Sequence, residues 1–247
     1  MSIQVHQHNS RSGLELEVGK QSAALLRLAM LSGGSGTIII SPSPEMAGVI
    51  SVLAGMESID WSKILILPMG EFFGISKNSR GSLQQDLYKK LIQVKPKCST
   101  AGLINGEGIP STERSRLNQL LQLHRPDVFL TCIGSSGEIG LIDHSIFAPE
   151  ETGYQIIEPS NEFRKNQVDQ NQFRTLNEVP RKSLSMTISS AFNAKHVICC
   201  MTGRTKSELA SKLLNGQDVP ETCKGLLQHP NVHIHLDSEA ASLIKKS

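Results

Sequence analysis

The sequence predicts an α/β fold built on a parallel sheet, and three observations carry that reading. Short apolar runs of four to six residues recur at 37–40, 64–67, 128–132, 196–201 and 232–236, each followed by Gly, Pro, Ser or Asp within two residues. Runs this short and this continuous suit strands covered on both faces, as in a parallel sheet. Segments with helical spacing lie between them, so strand and helix alternate along the chain. Finally, no Pro- and Gly-rich linker, fixed-period repeat or low-complexity tract interrupts the alternation, and residues 1–247 are expected to form one domain.

Taken in order, residues 14–31 place Leu14, Val18, Leu25 and Leu28 at mostly helical spacing, and the glycine cluster after Ser32 stops that helix. The cluster precedes the 37–40 strand, whereas a phosphate cradle must follow a strand and open a helix; it reads as a flexible connector. Ser43 is placed to cap a helix over 44–56, with Pro44 at its first position. A strand at 64–67 leads through the segment 68–74 to an amphipathic helix at 82–92. Residues 101–104 suggest a weak strand, and Ser111 a cap for a helix over 112–124 with Glu113 in its first turn. Downstream come a short strand at 154–157, a polar loop or loosely held segment at 161–177, and a stretch at 184–192 that begins apolar and turns helical. The strand at 196–201 feeds a helix over 205–214; a short helix at 220–227, a strand at 232–236 and a closing helix at 239–244 complete the chain.

Composition narrows the partners. With 25 basic and 23 acidic residues scattered along the length, the net charge of +2 gives no electropositive footprint for nucleic acid or an anionic membrane. The apolar runs fall far short of the ~20 residues that span a bilayer, and the first fifteen residues lack the apolar core of a signal peptide, so a cytoplasmic protein is expected. The five cysteines are odd in number and show no C-x-x-C spacing; they read as reduced core thiols. His6 with His8, and His233 with His235, share strand faces, but a zinc site needs three or four converging ligands, so no metal is expected.

In an open parallel sheet the ligand crevice lies outside the carboxyl ends of the strands. The loop after the 128–132 strand therefore offers Ser135, Ser136, Glu138, Asp143 and His144 for chemistry, with Gly134 and Gly137 leaving room for a ligand near the backbone. Lys206 stands in the first turn of a helix that begins where the 196–201 strand ends, which is anion-binding geometry.

Four segments and a shorter fifth carry a family resemblance. Met69-Gly70-Glu71-Phe72-Phe73-Gly74 is similar to an M-D-E-Y-V-G segment, and the stretch from Ile133 to Leu141 to I-G-x-D-G-H-I-A-F. Val179-Pro180 with Ser183-Leu184 is similar to V-P-x-x-A-L-T, and Thr202-Gly203-Arg204-Thr205-Lys206 matches T-G-x-x-K; Gln228-His229-Pro230 resembles Q-L-H-P. In order and spacing, over nearly the whole chain, these resemble the glucosamine-6-phosphate deaminase and isomerase family, whose relatives include galactosamine-6-phosphate isomerases and 6-phosphogluconolactonases. The resemblance implies a doubly wound, Rossmann-like parallel sheet in three layers with helices on both faces. It also implies a sugar-phosphate ligand, no cofactor, and chemistry that opens an amino-sugar ring, moves a proton between C2 and C1 and releases ammonia.

The same resemblance places that family's catalytic groups on changed residues. Its proton-shuttling aspartate falls on Gly70, its ring-opening histidine on Glu138 and the aspartate two before it on Ser136, while Asp143 keeps an acidic character. Its glycine-rich phosphate loop corresponds to residues 40–44, where Ser43 sits between two prolines that lack N–H donors. Its phosphate-binding arginine falls on Gln172 or Arg174, and Lys206 is retained. The expectation is a sugar-phosphate-binding protein of amino-sugar metabolism whose usual deamination is not retained. If a pocket has been rebuilt, Glu71, Glu138, Asp143 and His144 are its acid–base candidates, with Glu138 and Asp143 sharing a proton. Lys206, Gly134, Ser135, Ser136, Gly137, Ser43 and Arg174 are then the substrate contacts. A non-catalytic sensor or scaffold subunit and a sugar-lactone hydrolase are the alternatives, and a homo-oligomer stays open.

Overall fold

A computed structural model describes residues 3–244. Its strands in chain order are β1 (Gln4–His8), β2 (Gly36–Ile40), β3 (Ile64–Pro68), β4 (Gly70–Phe72), β5 (Val128–Cys132), β6 (Tyr154–Ile157), β7 (Ser183–Met186), β8 (His196–Met201) and β9 (Val232–Asp237). The helices are α1 (Arg11–Gly33), α2 (Met46–Gly55), α3 (Gln85–Leu87), α4 (Pro110–Leu123), α5 (Asn161–Asp169), α6 (Ile188–Ala191), α7 (Ser207–Asn215) and α8 (Lys224–Gln228).

Six strands pair in the order β1-β9-β8-β5-β2-β3, every pair parallel. Alternate residues of these strands enter separate cores, which makes the protein three-layered. Ile39, Phe129, Val197 and Ile234 pack with Leu117 of α4, Leu213 of α7 and Leu226 of α8. Ile38, Val128, Leu130 and Ile198 pack on the other face with Leu14 and Val18 of α1 and Val49 and Leu53 of α2. Both faces being covered explains why the strands read as unbroken apolar runs. Each fully buried Ile, Val or Leu contributes about 1.5–3 kcal/mol.

Asp127 fixes the register where three central strands begin. Its carboxylate accepts the Thr37 N–H at 2.8 Å and the Lys195 ammonium at 2.7 Å. Between β2 and β5 the winding reverses: the chain leaves β2 outward to β3 and leaves β5 in the opposite direction to β8. This doubly wound reversal opens a crevice at the carboxyl ends of β2 and β5.

A second, antiparallel sheet in the order β4-β7-β6 was not visible in the sequence. It hangs from the first sheet through Met69, whose N–H donates to Ile40 at 2.8 Å and whose carbonyl accepts from Met186 at 2.7 Å. Tyr154 is fully buried and its hydroxyl donates to the Pro68 carbonyl at 2.8 Å, closing the same joint.

Several expected elements are corrected. His6 and His8 do share a strand face, on β1, an edge strand paired to β9, whereas α1 begins at Arg11 rather than Leu14 and is capped by Ser10 accepting the Gly13 N–H at 3.1 Å. The glycine cluster is no loose connector: α1 runs to Gly33, and Gly34 at φ 76° closes it with an N–H to Met30 before β2 starts. The second helix starts at Met46, and Ser43 accepts the Glu45 N–H instead of capping at the first helical turn. The expected helix at 82–92 is a single turn, α3, continued by a π-helical segment at Tyr88–Ile92. Helix α4 begins at Pro110, so Ser111 lies inside it. Residues 101–104 form turns, not a strand, because the Gln84 side chain takes the place of a neighbouring strand, donating to the Ile104 carbonyl and accepting its N–H.

Two further corrections lie at polar or terminal segments. Residues 161–169 form helix α5, capped by Ser160 accepting the Phe163 N–H at 3.1 Å. The buried Arg164 guanidinium donates to the carbonyls of Leu176 and Val179 at 2.8 and 3.0 Å, which folds the 170–179 stretch back on the helix. At the other end, the expected closing helix over 239–244 is a series of turns.

Candidate functional site

The crevice at the strand reversal is a cavity of about 700 Å³. It is lined by Ile40, Ser41, Cys132 and Ile133, by the 42–45 loop and α5, and by Arg80, Gln84 and Lys206. The α5 face contributes the amides of Asn166 and Gln167, and the turn after it those of Gln170 and Gln172. Amide and hydroxyl groups lining an open crevice suit a polyhydroxylated ligand, since each can donate or accept. These α5 residues were missed because the segment offers only Phe163 and Val168 as apolar positions, too few to show helical periodicity.

Of the four acid–base candidates, Glu138 alone lines the cavity. Its carboxylate accepts the Ser136 N–H at 3.1 Å and lies across Gly134, where a Cβ would stand 1.8 Å from Oε1. The space beside Gly134 is thus filled by the Glu138 carboxylate. Gly137 turns at φ 90° against Pro220 and accepts the Thr222 hydroxyl through its carbonyl, away from the cavity lining.

Glu71 is about 1% exposed and organises the loop that follows β4. Its carboxylate accepts the backbone N–H of Phe72 and Leu83 at 2.8 and 3.0 Å, the Ser82 hydroxyl at 2.5 Å and the Gln84 amide at 3.1 Å. Burial raises its pKa, offset in part by these donors. Every oxygen is engaged internally, and Glu71 does not line the cavity.

Asp143 and His144 also lie outside the lining. Asp143 accepts the Ser145 N–H and hydroxyl at 2.9 and 2.6 Å. Burial pushes its pKa up, but the Ser145 and Ser160 hydroxyls and the Ser145 N–H outweigh it, so the carboxyl titrates below its ordinary value. Held by Ser145 and outside the lining, Asp143 does not stand beside Glu138 in the cavity wall. His144 is exposed.

Among the expected substrate contacts, Ser43, Gly134, Ser135 and Lys206 line the cavity, whereas Ser136, Gly137 and Arg174 do not. Arg174 is exposed, and Gln172 is the residue of that stretch which reaches the cavity. Lys206 is about 5% exposed, at the end of a 3-10 turn. Its ammonium donates to Glu45 Oε2 at 2.5 Å. The turn is held by Asp237, whose two carboxylate oxygens accept the Gly203 N–H at 3.1 and 3.0 Å while Oδ1 also takes the Ala240 N–H at 2.8 Å. Asp237 was not singled out in the sequence, where it reads only as the residue that ends a strand.

Gly70, onto which the resemblance placed an aspartate, is buried in β4. A Cβ there would stand 2.4 Å from Leu141 Cδ1 and 3.0 Å from the Leu184 carbonyl oxygen. Packing fills the volume that a side chain would need.

All five cysteines are free and buried. Burial pushes Cys98 up to about 11 and Cys223 to about 12. Among the described residues no group of three or more His, Cys, Asp or Glu has the geometry to hold a metal ion, and no helix is long and apolar enough to cross a membrane.

No protein-family model matches the chain. Among solved structures, a monomeric glucosamine-6-phosphate deaminase superposes with a TM-score of 0.85, 21% identity and coverage of 98% of this chain and all of the other. The 6-phosphogluconolactonase of Trypanosoma cruzi gives 0.77 at 14% identity, covering 99% and 98% of the two chains. These likenesses establish the fold. In sequence, the glucosamine-6-phosphate deaminase of Lysinibacillus sphaericus is 28% identical over 212 residues, 85% of this chain and 93% of the relative. That of Staphylococcus epidermidis is 30% identical over 195 residues, 74% of this chain and 76% of the relative. At that identity and coverage, on a matching doubly wound fold, the chain belongs to the glucosamine-6-phosphate deaminase family.

Proposed function

We propose that the protein binds a sugar phosphate in the cavity between the β2 and β5 loops and does not carry out the deamination that names its family. The observation that supports this reading most is that Glu138 alone of the four acid–base candidates lines the cavity. Ring opening and proton transfer need an acid and a base within hydrogen-bond reach of one ligand. Glu138 lines the cavity, but Glu71 is engaged by the 82–84 loop and Asp143 by Ser145. At position 70 there is no functional group, and an added side chain would have to displace Leu141. A polar, amide-rich pocket with a buried lysine suits binding, while three of the four acid–base candidates stand outside its lining.

The test has two arms. Purified protein is incubated with glucosamine-6-phosphate while ammonia and ketose phosphate are measured; negligible release is expected, and turnover at rates ordinary for an enzyme would overturn the reading. Thermal denaturation is then followed with a panel of sugar phosphates. A ligand at 100 times its Kd stabilises the native state by about 2.7 kcal/mol. Absence of any shift across the panel would favour a scaffold role instead.

A further inference from the structure

We propose that Glu45 is a built-in competitor for the anion site at Lys206, so that a ligand's phosphate group must displace it; this rests on the sugar-phosphate reading above. Lys206 is buried at the cavity edge, and the charge on its ammonium is met by the Glu45 carboxylate at 2.5 Å. Glu45 is not carried there by a floppy segment. It stands between Pro44 and the first residue of α2; its N–H is held by the Ser43 hydroxyl at 3.2 Å, and the Met46 N–H bonds the Ser43 carbonyl at 3.0 Å. The loop therefore presents a carboxylate to Lys206 at the head of a ten-residue helix, where the helix dipole also favours negative charge.

The charges on the cavity wall lead to the same place. Its cations are Arg80 and Lys206 and its anions Glu45, Asp86 and Glu138, one negative charge in excess. A phosphate dianion entering this lining meets net repulsion unless Glu45 is neutralised or swings away. Phosphate binds only the fraction of molecules in which Lys206 is free of Glu45, so a pair closed about ten times as often as open weakens the phosphate contact by about that factor. Glu45 thus sets how strongly the cavity prefers a phosphorylated sugar to the free one, a property of this chain's 42–45 loop.

The experiment compares wild type, Glu45→Gln, Lys206→Ala and the double variant by calorimetry against inorganic phosphate, glucosamine-6-phosphate and glucosamine, with circular dichroism confirming that each is folded. Glu45→Gln is expected to tighten phosphate and glucosamine-6-phosphate about tenfold, to leave glucosamine unchanged, and to lose the gain when Lys206→Ala is added. Equal binding of both phosphates to wild type and Glu45→Gln overturns the inference and leaves the sugar-phosphate reading standing. Tightened inorganic phosphate with no binding of the sugar ester to either protein supports the inference and sinks that reading. If no protein of the set binds any of the three, both fall.

Discussion

Replacing Gly70 by aspartate is the obvious attempt to return a base to this site, and the structure predicts that it fails for a steric reason that can be measured separately. The first added atom would stand 2.4 Å from Leu141 Cδ1 and 3.0 Å from the Leu184 carbonyl oxygen, and both residues are fully buried. Overpacking of this kind costs about 1–3 kcal/mol, so Gly70→Ala alone should lower Tm by roughly 2–12 °C in a chain of this size. Aspartate adds a buried carboxyl without a partner, about 1–3 kcal/mol more, for a total of roughly 2–6 kcal/mol. Desolvation would keep that carboxyl protonated at neutral pH, so it could not serve as a base. Leu141→Ala should be costly by itself, about 2–5 kcal/mol, yet the double variant Gly70→Ala/Leu141→Ala should be more stable than the sum of its parts by about 0.5–3 kcal/mol. Thermal denaturation of the four proteins, with ammonia release measured on Gly70→Asp, gives the answer. An unchanged Tm for Gly70→Ala, additivity in the cycle, or a stable Gly70→Asp that releases ammonia would each refute the reasoning.

Three further outcomes are expected. Glu71→Ala strands donors on Phe72, Ser82, Leu83 and Gln84, and should cost about 3–5 kcal/mol while exposing the bond after Arg80 to trypsin; unchanged cleavage there would show that the carboxylate does not order the loop. On the β1–β9 edge, His6 and His8 hydrogen-bond His233 and His235 at 3.2 and 3.0 Å, with Glu17 and Lys20 of α1 and the nearby His196 as the surrounding titratable groups. Burial first, then the neighbouring imidazoles, lowers His235 from 6.5 to about 3 and moves His8 and His233 the same way. The folded protein thus binds fewer protons than the unfolded chain below pH 6.5, so stability present above that pH should be lost as pH falls toward 3; a Tm profile no flatter in His235→Gln than in wild type would contradict this. Finally, the buried thiols, with Cys98 and Cys223 pushed to about 11 and 12, should resist iodoacetamide in the native protein and react on unfolding, which mass spectrometry reads directly.

Legibility in the sequence followed burial. The strands at 128–132 and 196–201 were bounded to the residue, because an element covered on both faces must be apolar throughout and ends where polarity returns. The short strand at 154–157 was equally plain. By contrast, β1 lies at the sheet edge with alternating histidines, and α5 is polar, capped by Ser160 and held by Arg164 reaching carbonyls at 176 and 179. Neither carries its reason within its own few residues. The cavity's location was legible from strand ends, and Lys206, Glu138, Ser43 and Ser135 do line it. The partners of those residues were not legible, since Glu45 and Lys206 are separated by 161 positions and no local pattern joins them.

By itself, then, the sequence determined the alternation of strand and helix, the two-sided burial of the central strands and the family to which the chain is similar, because these depend on residue type and spacing along the chain. Only the tertiary structure decided which carboxylates remain available. It spent Glu71 on the 82–84 loop, turned Asp143 to Ser145, packed Leu141 into the space beside Gly70 and set Glu45 against Lys206. A charged side chain's role is fixed by the groups within a few ångströms of it, and those arrive from distant parts of the chain only when it folds.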